Sequence, residues 1–153
     1  MMKQMMAFFN DCIANARAEF SVLQNSTGDY SQIMEQIKEL SRIKEIDFSS
    51  DYEYRKLIIF SDLMQFSKNV NLISSCRDRK KCITWDNFKN DPSNRMKVRN
   101  MMPRFGENPP EVFVYYLQCK HDKNLNIGLL EFWDGYFTDA GIDWDYDTET
   151  SCN

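Results

Sequence analysis

The sequence predicts an α/β domain in which a mostly parallel sheet is flanked by helices in three layers. The run "LIIF", Leu57 to Phe60, has the length and composition of a strand covered on both faces, as in a parallel sheet. The run "EVFVYYLQC", Glu111 to Cys119, is the strongest strand signal because it is dense in β-branched and aromatic residues. Helical spacing before the first strand and after the second gives the alternation that favours right-handed crossovers and helices on both faces.

The helices follow from the spacing of apolar residues. From Met2 to Phe20 they recur every three or four positions, which predicts an amphipathic helix that needs a partner surface. The same spacing from Ile33 to Leu40 predicts a second helix, which we expect to fade by Ile46. The aromatic-rich stretch from Leu129 to Ala140 predicts a third helix, ended by Gly141 in the left-handed conformation.

The remaining segments are predicted to be connections and shorter helices. Residues Asp62 to Val70 form a loop or crossover, and short helices are expected at Thr84 to Lys89 and at Ser93 to Met102. Residues 143–153 are predicted to be an acidic, frayed tail that opens with a short edge strand. Residues 1–153 therefore form one domain, since this length is ordinary for a single core.

Charge divides the chain into a basic middle and acidic flanks. The net charge of −4 argues against a general affinity for nucleic acid. However, nine of the 19 Lys and Arg residues lie between Arg77 and Phe105, with only three of the 23 Asp and Glu residues. Within this segment Arg77, Arg79, Lys80 and Lys81 are the candidate contacts for a partner, although a solvated charged insertion is the more common meaning of such a run.

Cysteine usage and hydropathy predict a cytoplasmic protein. The five cysteines have no repeated spacing, and an odd count in a chain with a sizeable core does not indicate a disulfide framework. We expect Cys76, Cys82 and Cys119 to be free rather than to bind zinc with His121, the only histidine. The apolar stretch Met5 to Phe9 is too short for a signal peptide, and no run is long enough to span a membrane, so no membrane partner is expected.

Ser61 and Asp62 follow the first strand directly, at the end of a parallel sheet where ligands usually bind. An aspartate in this position is either a cap that accepts backbone N–H groups or a ligand for a hard cation. On local sequence alone the cap is the more common role. The absence of a glycine-rich phosphate loop argues against a nucleotide site.

The segment "YRKLIIFSDLMQFSKN", with "YSQIMEQIKELSRI" before it and "EVFVYYLQC" and "EFWDGYFTDAGI" after it, resembles the carboxyl-terminal part of a divergent, bacterial-type von Willebrand factor A-like domain. The resemblance runs from Asp29 to Ile142 and implies a Rossmann-like fold. It implies that Asp62 is the third element of a metal-ion-dependent adhesion site, with Ser31, or the less well placed Thr27, as the second. Mg²⁺ or Mn²⁺ bound there would bridge to an acidic group of a protein partner.

The first element of that family's site, Asp-x-Ser-x-Ser, has no match in the expected place. In the family it precedes the helix that Met2 to Phe20 would represent, and "DFSSD", Asp47 to Asp51, lies after the second helix instead. The resemblance therefore implies an incomplete domain and an incomplete metal site. Either the natural protein starts upstream of Met1, or a partner donates the missing strand, or the sheet is smaller and leaves the strand at Leu57 with an open edge.

Three functions remain open from the sequence. The first is a non-enzymatic domain that binds an unidentified protein partner. The second is a metal-dependent enzyme that uses Asp62 in phosphoryl transfer or hydrolysis. The third is binding of nucleic acid or of an acidic partner through residues 77–105.

Overall fold

The computed structural model describes residues 31–43, 54–76, 82–106, 109–119, 126–147 and 151–152. Within these ranges the helices are α1 (Ile33–Leu40), α2 (Leu72–Ser75), α3 (Trp85–Asn90), α4 (Arg95–Met101) and α5 (Asn126–Asp139), with a 3₁₀ turn at Pro92–Asn94. The strands are β1 (Lys56–Ser61), β2 (Glu111–Tyr116), β3 (Gln118–Cys119), β4 (Trp144–Asp147) and β5 (Ser151–Cys152). The predicted helix Met2 to Phe20 and the segments "DFSSD" and "RDRKK" lie outside the described residues.

The sheet confirms the predicted α/β class and its parallel character. Strands β1, β2 and β4 form a three-stranded sheet in the order β1-β2-β4. Both pairings are parallel, with Leu57 opposite Val112 and Val112 opposite Trp144. The short strands β3 and β5 also pair in parallel. The strand predicted at the start of the acidic tail is therefore present as β4, an edge strand of the described sheet.

The sheet is not buried evenly, and β1, which was predicted to be covered on both faces, is only partly covered. Alternate residues of β2, namely Val112, Val114 and Tyr116, are buried in the core, as expected when one face packs inward. No residue of β1 is fully buried. Within the described residues β1 pairs with β2 alone, so this apolar run lies at an edge of the described sheet.

Helix α5 contributes more buried side chains to the hydrophobic core than any other described element. Its side chains Leu129, Phe132, Trp133, Tyr136 and Phe137 are completely buried. Trp85 of α3 packs edge-on against Phe132, with ring centroids 5.5 Å apart. Its indole Nε1–H donates a hydrogen bond of 2.7 Å to Asp139. The prediction that this aromatic face forms core is confirmed, and edge-to-face ring pairs stabilise such a core beyond their buried area.

The end of α5 is also as predicted. Gly141 has φ of 68°, in the left-handed region that glycine tolerates best. The Gly141 N–H donates to the Thr138 carbonyl at 3.0 Å and the Ile142 N–H donates to the Phe137 carbonyl at 2.9 Å. This pair of bonds is a Schellman motif, which places the chain to enter β4.

The prediction of free cysteines is wrong for one pair. A disulfide joins Cys76, directly after α2, to Cys82, shortly before α3. The two residues are six positions apart and close a small local loop, which has no characteristic spacing by which sequence alone would identify it. Disulfides are typical of oxidising compartments, so cysteine usage no longer supports a reducing location.

Among the described helices, none combines the length and the hydrophobicity that crossing a bilayer requires.

Candidate functional site

The β1–α2 loop, residues 62–71, begins with a turn held by the two side chains that end the strand. Ser61 Oγ accepts a hydrogen bond of 2.9 Å from the Leu63 N–H, and Asp62 Oδ1 accepts one of 3.0 Å from the Met64 N–H. Such local bonds from side chain to backbone stabilise a turn, so the strand ends here. The abrupt end of "LIIF" is thus a turn, and Asp62 has the capping role.

The same turn places Leu63 in an unusual conformation. Its φ is 57°, which costs a leucine roughly 1–2 kcal/mol relative to the right-handed region. Two contacts offset this cost, since the Leu63 side chain is completely buried and its carbonyl accepts a hydrogen bond of 2.8 Å from Trp133 Nε1. Burying a leucine contributes about 1.5–3 kcal/mol, enough to hold the strained turn against α5.

Ser31, the other predicted metal ligand, approaches this loop through its backbone. Its N–H donates to the Phe66 carbonyl at 2.9 Å, and its carbonyl accepts from the Phe66 N–H at 2.8 Å. The structure therefore brings Ser31 against the loop that begins at Asp62. The alternative residue Thr27 lies outside the described residues.

Asp62 and Ser31 are engaged in hydrogen bonds of the protein itself. Asp62 Oδ1 already accepts a backbone N–H, and both main-chain polar groups of Ser31 are used in pairing with Phe66. Within the part of the chain that the structure describes, no three His, Cys, Asp or Glu side chains group around a common point. Hard cations need several oxygen ligands, so the metal role of Asp62 and Ser31 stays a prediction from the resemblance alone.

A polar network that the sequence did not reveal fixes the loop to α1. Gln65 Nε2 donates to Glu35 Oε2 at 2.7 Å, and Asn69 Nδ2 donates to Glu35 Oε1 at 2.6 Å. Gln65 is completely buried, and its Oε1 accepts the Met34 N–H at 3.1 Å. The available signal was the polar pattern "QFSKN" inside an otherwise apolar stretch, but nothing in it pointed to Glu35.

The ionisation of this network is fixed near neutral pH. Burial raises the pKa of Glu35, but hydrogen bonds from Ser67, Asn69 and Gln65 outweigh it and hold the pKa below its ordinary value. Burial, with the charge of Glu35 as a second cause, raises the pKa of Tyr136 far above its ordinary value. Its hydroxyl donates to the Met101 carbonyl at 3.0 Å. Neither group is poised to exchange a proton near pH 7, so the network is suited to positioning the loop.

The predicted basic segment is divided in the structure. Arg77, Arg79, Lys80 and Lys81 lie outside the described residues. Lys89 forms ion pairs with Asp86 and Asp139, at 2.9 and 2.7 Å, so its charge is balanced locally.

Two other cations of the segment are Arg99, in α4, and Arg104, shortly after it. They lie near Lys38, in α1, and Arg42, shortly after it. We call these four residues the α1–α4 basic surface. Lys38 Nζ donates to the Arg99 carbonyl at 2.9 Å, and the Arg104 N–H donates to Ser41 Oγ at 2.9 Å. Burial lowers the pKa of Lys38, and the charges of Arg42, Arg104 and Arg99 lower it further. The three arginine charges therefore lie close enough to affect Lys38, and Glu39 pairs with Arg42 at 3.0 Å.

Comparison of the chain with models of protein families, with curated proteins and with solved structures found no match. The resemblance to the von Willebrand factor A type accordingly remains a prediction.

Proposed function

We propose that the chain is a non-enzymatic protein-interaction domain, of the von Willebrand factor A-like type that its sequence resembles, and that it binds an acidic surface of a partner protein through the α1–α4 basic surface. The observation that carries the proposal is that four cations, from α1 and α4 and from the residues shortly after each helix, come together although the two segments are distant in sequence. Like charges at close range repel, so an anionic partner that neutralises them gains binding energy.

The ordinary explanation for cations at helix ends is interaction with the helix dipole. Lys38 fits this explanation because it caps a carbonyl of the last turn of α4. One cation is sufficient for that role, and Arg99 and Arg104 bring charge beyond what capping requires, whereas Arg42 is paired with Glu39. Arginine is also the residue best suited to bind carboxylates through two parallel hydrogen bonds.

The alternative of an enzyme that uses Asp62 is less well supported. Asp62 holds a turn, and Glu35 and Tyr136 each keep one protonation state near neutral pH. These roles favour a rigid binding domain, and the proposal includes no step at a bound metal.

The test is binding of a fluorescein-labelled acidic peptide of about ten Glu and Asp residues, followed by fluorescence anisotropy at low and moderate salt. A labelled single-stranded oligonucleotide of similar charge is measured in parallel. We expect the peptide to bind and its affinity to fall with salt, because exposed charges are screened. Binding of the oligonucleotide without binding of the peptide would instead favour the nucleic-acid alternative.

The variant Arg99→Gln/Arg104→Gln tests the surface itself. Both substitutions keep the backbone groups that bond Lys38 and Ser41, so the helices stay in place. Each exposed charge contributes roughly 0.2–1 kcal/mol, so the double variant should bind the peptide about 2- to 30-fold more weakly. The matched control is Arg95→Gln, an exposed arginine at the start of α4. The control removes one charge where the double variant removes two, so a loss of half the binding free energy in the control would show that only overall charge matters and would contradict the proposed surface.

A further inference from the structure

A cleft of about 320 Å³ opens between α5 and β4, and we call it the α5–β4 cleft. It is lined by Leu130, Glu131, Asp134, Trp144 and Tyr146. The helix contributes one apolar and two acidic side chains, and the strand contributes two aromatic rings. The lining contains no Lys, Arg or His, so its formal charge is negative.

The aromatic wall is fixed in position. Trp144 and Tyr146 are two residues apart on β4, so both rings lie on the same face of the sheet, with centroids 5.3 Å apart and 28° between their planes. The Trp144 ring also packs against Phe137 of the core, with ring centroids 5.1 Å apart. The indole Nε1–H donates a hydrogen bond of 3.0 Å to Asp134 Oδ1, which ties the ring to α5.

Trp144 and Tyr146 are more accessible to solvent than Trp85 and Trp133. Trp85 and Trp133 are 1% and 0% exposed, whereas Tyr146 is 38% exposed and Trp144 is half-buried. An aromatic pair that stays accessible while similar rings are buried is a surface suited to contact with another molecule.

The carboxylates determine the charge of that molecule. Glu131 and Asp134 are three positions apart on α5, so they lie on the same side of the helix, and both are exposed. A cation placed over the face of Trp or Tyr is attracted by the ring quadrupole, and two neighbouring carboxylates add to that attraction. An anion or a purely apolar group would gain neither contribution.

We propose that the α5–β4 cleft binds a cationic side chain of a partner polypeptide, and that arginine is preferred to lysine. The planar guanidinium stacks on the accessible ring of Tyr146, beside Trp144, while its N–H groups reach the carboxylates of Glu131 and Asp134, which a lysine ammonium does less well. This site is independent of the α1–α4 basic surface, because it takes a group of the opposite charge.

The test uses the capped peptide acetyl-Gly-Arg-Gly-amide and its citrulline counterpart, which keeps the shape but lacks the charge. The readout is the indole N–H signal of Trp144 in two-dimensional NMR spectra, assigned with a Trp144→Phe variant. The arginine peptide should move this signal in a saturable manner with Kd on the order of millimolar, as expected of one side chain. The signals of Trp85 and Trp133 should stay in place. Equal shifts with citrulline, or no shift of the Trp144 signal at about 20 mM peptide, would overturn the proposal.

Variants separate the cleft from general acidity. Glu131→Gln removes a charge, and Asp134→Asn removes a charge but keeps an acceptor for the Trp144 indole. Each should weaken binding of the arginine peptide by about twofold to fivefold. The matched control is Glu39→Gln, an exposed glutamate of α1 that does not line the cleft. Equal weakening by Glu39→Gln would reduce the effect to net charge and overturn the site. The acidic-peptide assay of the α1–α4 basic surface reports a separate result, since neither cleft variant alters that surface.

Discussion

The β1–α2 loop and the α5–β4 cleft both have carboxylates beside them, but these carboxylates have different surroundings. Next to the loop, Glu35 accepts bonds of 2.7 and 2.6 Å from Gln65 and Asn69. In the cleft, Glu131 and Asp134 are exposed to solvent beside an accessible aromatic pair. The comparison shows that polar residues at the usual ligand end of a parallel sheet can be used for holding a loop, while exposed carboxylates beside accessible rings lie elsewhere.

The largest expected effect is in the buried network. Gln65→Ala removes the acceptor of the Met34 N–H and a donor to Glu35, and it leaves a cavity at a completely buried site. Unsatisfied buried groups together with the cavity should lower the free energy of unfolding by about 2–4 kcal/mol, measured by urea denaturation. The control Gln36→Ala, at an exposed position of α1, should stay within about 0.5 kcal/mol of the wild type. A small loss with Gln65→Ala would mean that the network does not hold the loop.

The next prediction concerns the turn after β1. Asp62→Ala removes the acceptor of the Met64 N–H and should cost about 1 kcal/mol, whereas Asp62→Asn keeps an acceptor and should cost less than about 0.5 kcal/mol. Thermal unfolding with and without millimolar Mg²⁺ distinguishes a turn cap from a metal ligand at Asp62. If Mg²⁺ raises the melting temperature of the wild type but not of Asp62→Asn, Asp62 is a metal ligand and the contrast between the two regions fails at this residue.

The pH dependence of the network gives a third test. The pKa of Glu35 is lowered on folding from an ordinary value of 4.5, so its contribution to stability is fully present above pH 4.5 and is lost as pH falls through the lower, folded-state pKa. Glu35→Gln should therefore be less stable than the wild type near neutral pH, and the difference should shrink on acidification below pH 4.5.

The readout for that test is chemical denaturation across the acidic range, taken as the difference between the two proteins. Other lowered groups, such as Asp139, titrate in both proteins and cancel in this difference. Glu39→Gln serves as the control for removal of an exposed carboxylate. A difference between Glu35→Gln and the wild type that stays constant with pH would contradict the assignment of a lowered pKa to Glu35.

Local sequence patterns predicted the helices and strands, whereas the polar network and the basic surface depend on contacts between residues distant in sequence. Strands β1 and β2 and helix α5 with its Gly141 end were predictable because each depends on a few adjacent residues. The bonds of Glu35 to Gln65 and Asn69 join residues 30 and 34 positions apart, and Lys38 meets Arg99 across 61 positions. A single sequence contains no local signal for such partners, so the network and the composition of the α1–α4 basic surface were missed.

Asp62 shows that a local pattern can also fit two different roles. An aspartate after an apolar strand has the same local pattern whether it caps a turn or binds a cation. The deciding facts are the conformation of Leu63 and the position of the Met64 N–H, which depend on the packing of Leu63 and Trp133. The disulfide between Cys76 and Cys82 was missed for the related reason that a short loop has no spacing rule.

The smallest expected change in the free energy of unfolding is for variants of the cleft, in contrast to Gln65→Ala. Glu131→Gln and Asp134→Asn change exposed groups, and the second keeps the hydrogen bond to the Trp144 indole, so each should leave the free energy of unfolding within about 0.5 kcal/mol of the wild type. Urea denaturation under the conditions used for Gln65→Ala gives the comparison directly. A loss above about 1 kcal/mol in either variant would make these carboxylates structural like Glu35. Unchanged stability together with weakened binding of the arginine peptide would separate the two regions by function, because only groups that the fold does not need for its own stability are available to a partner.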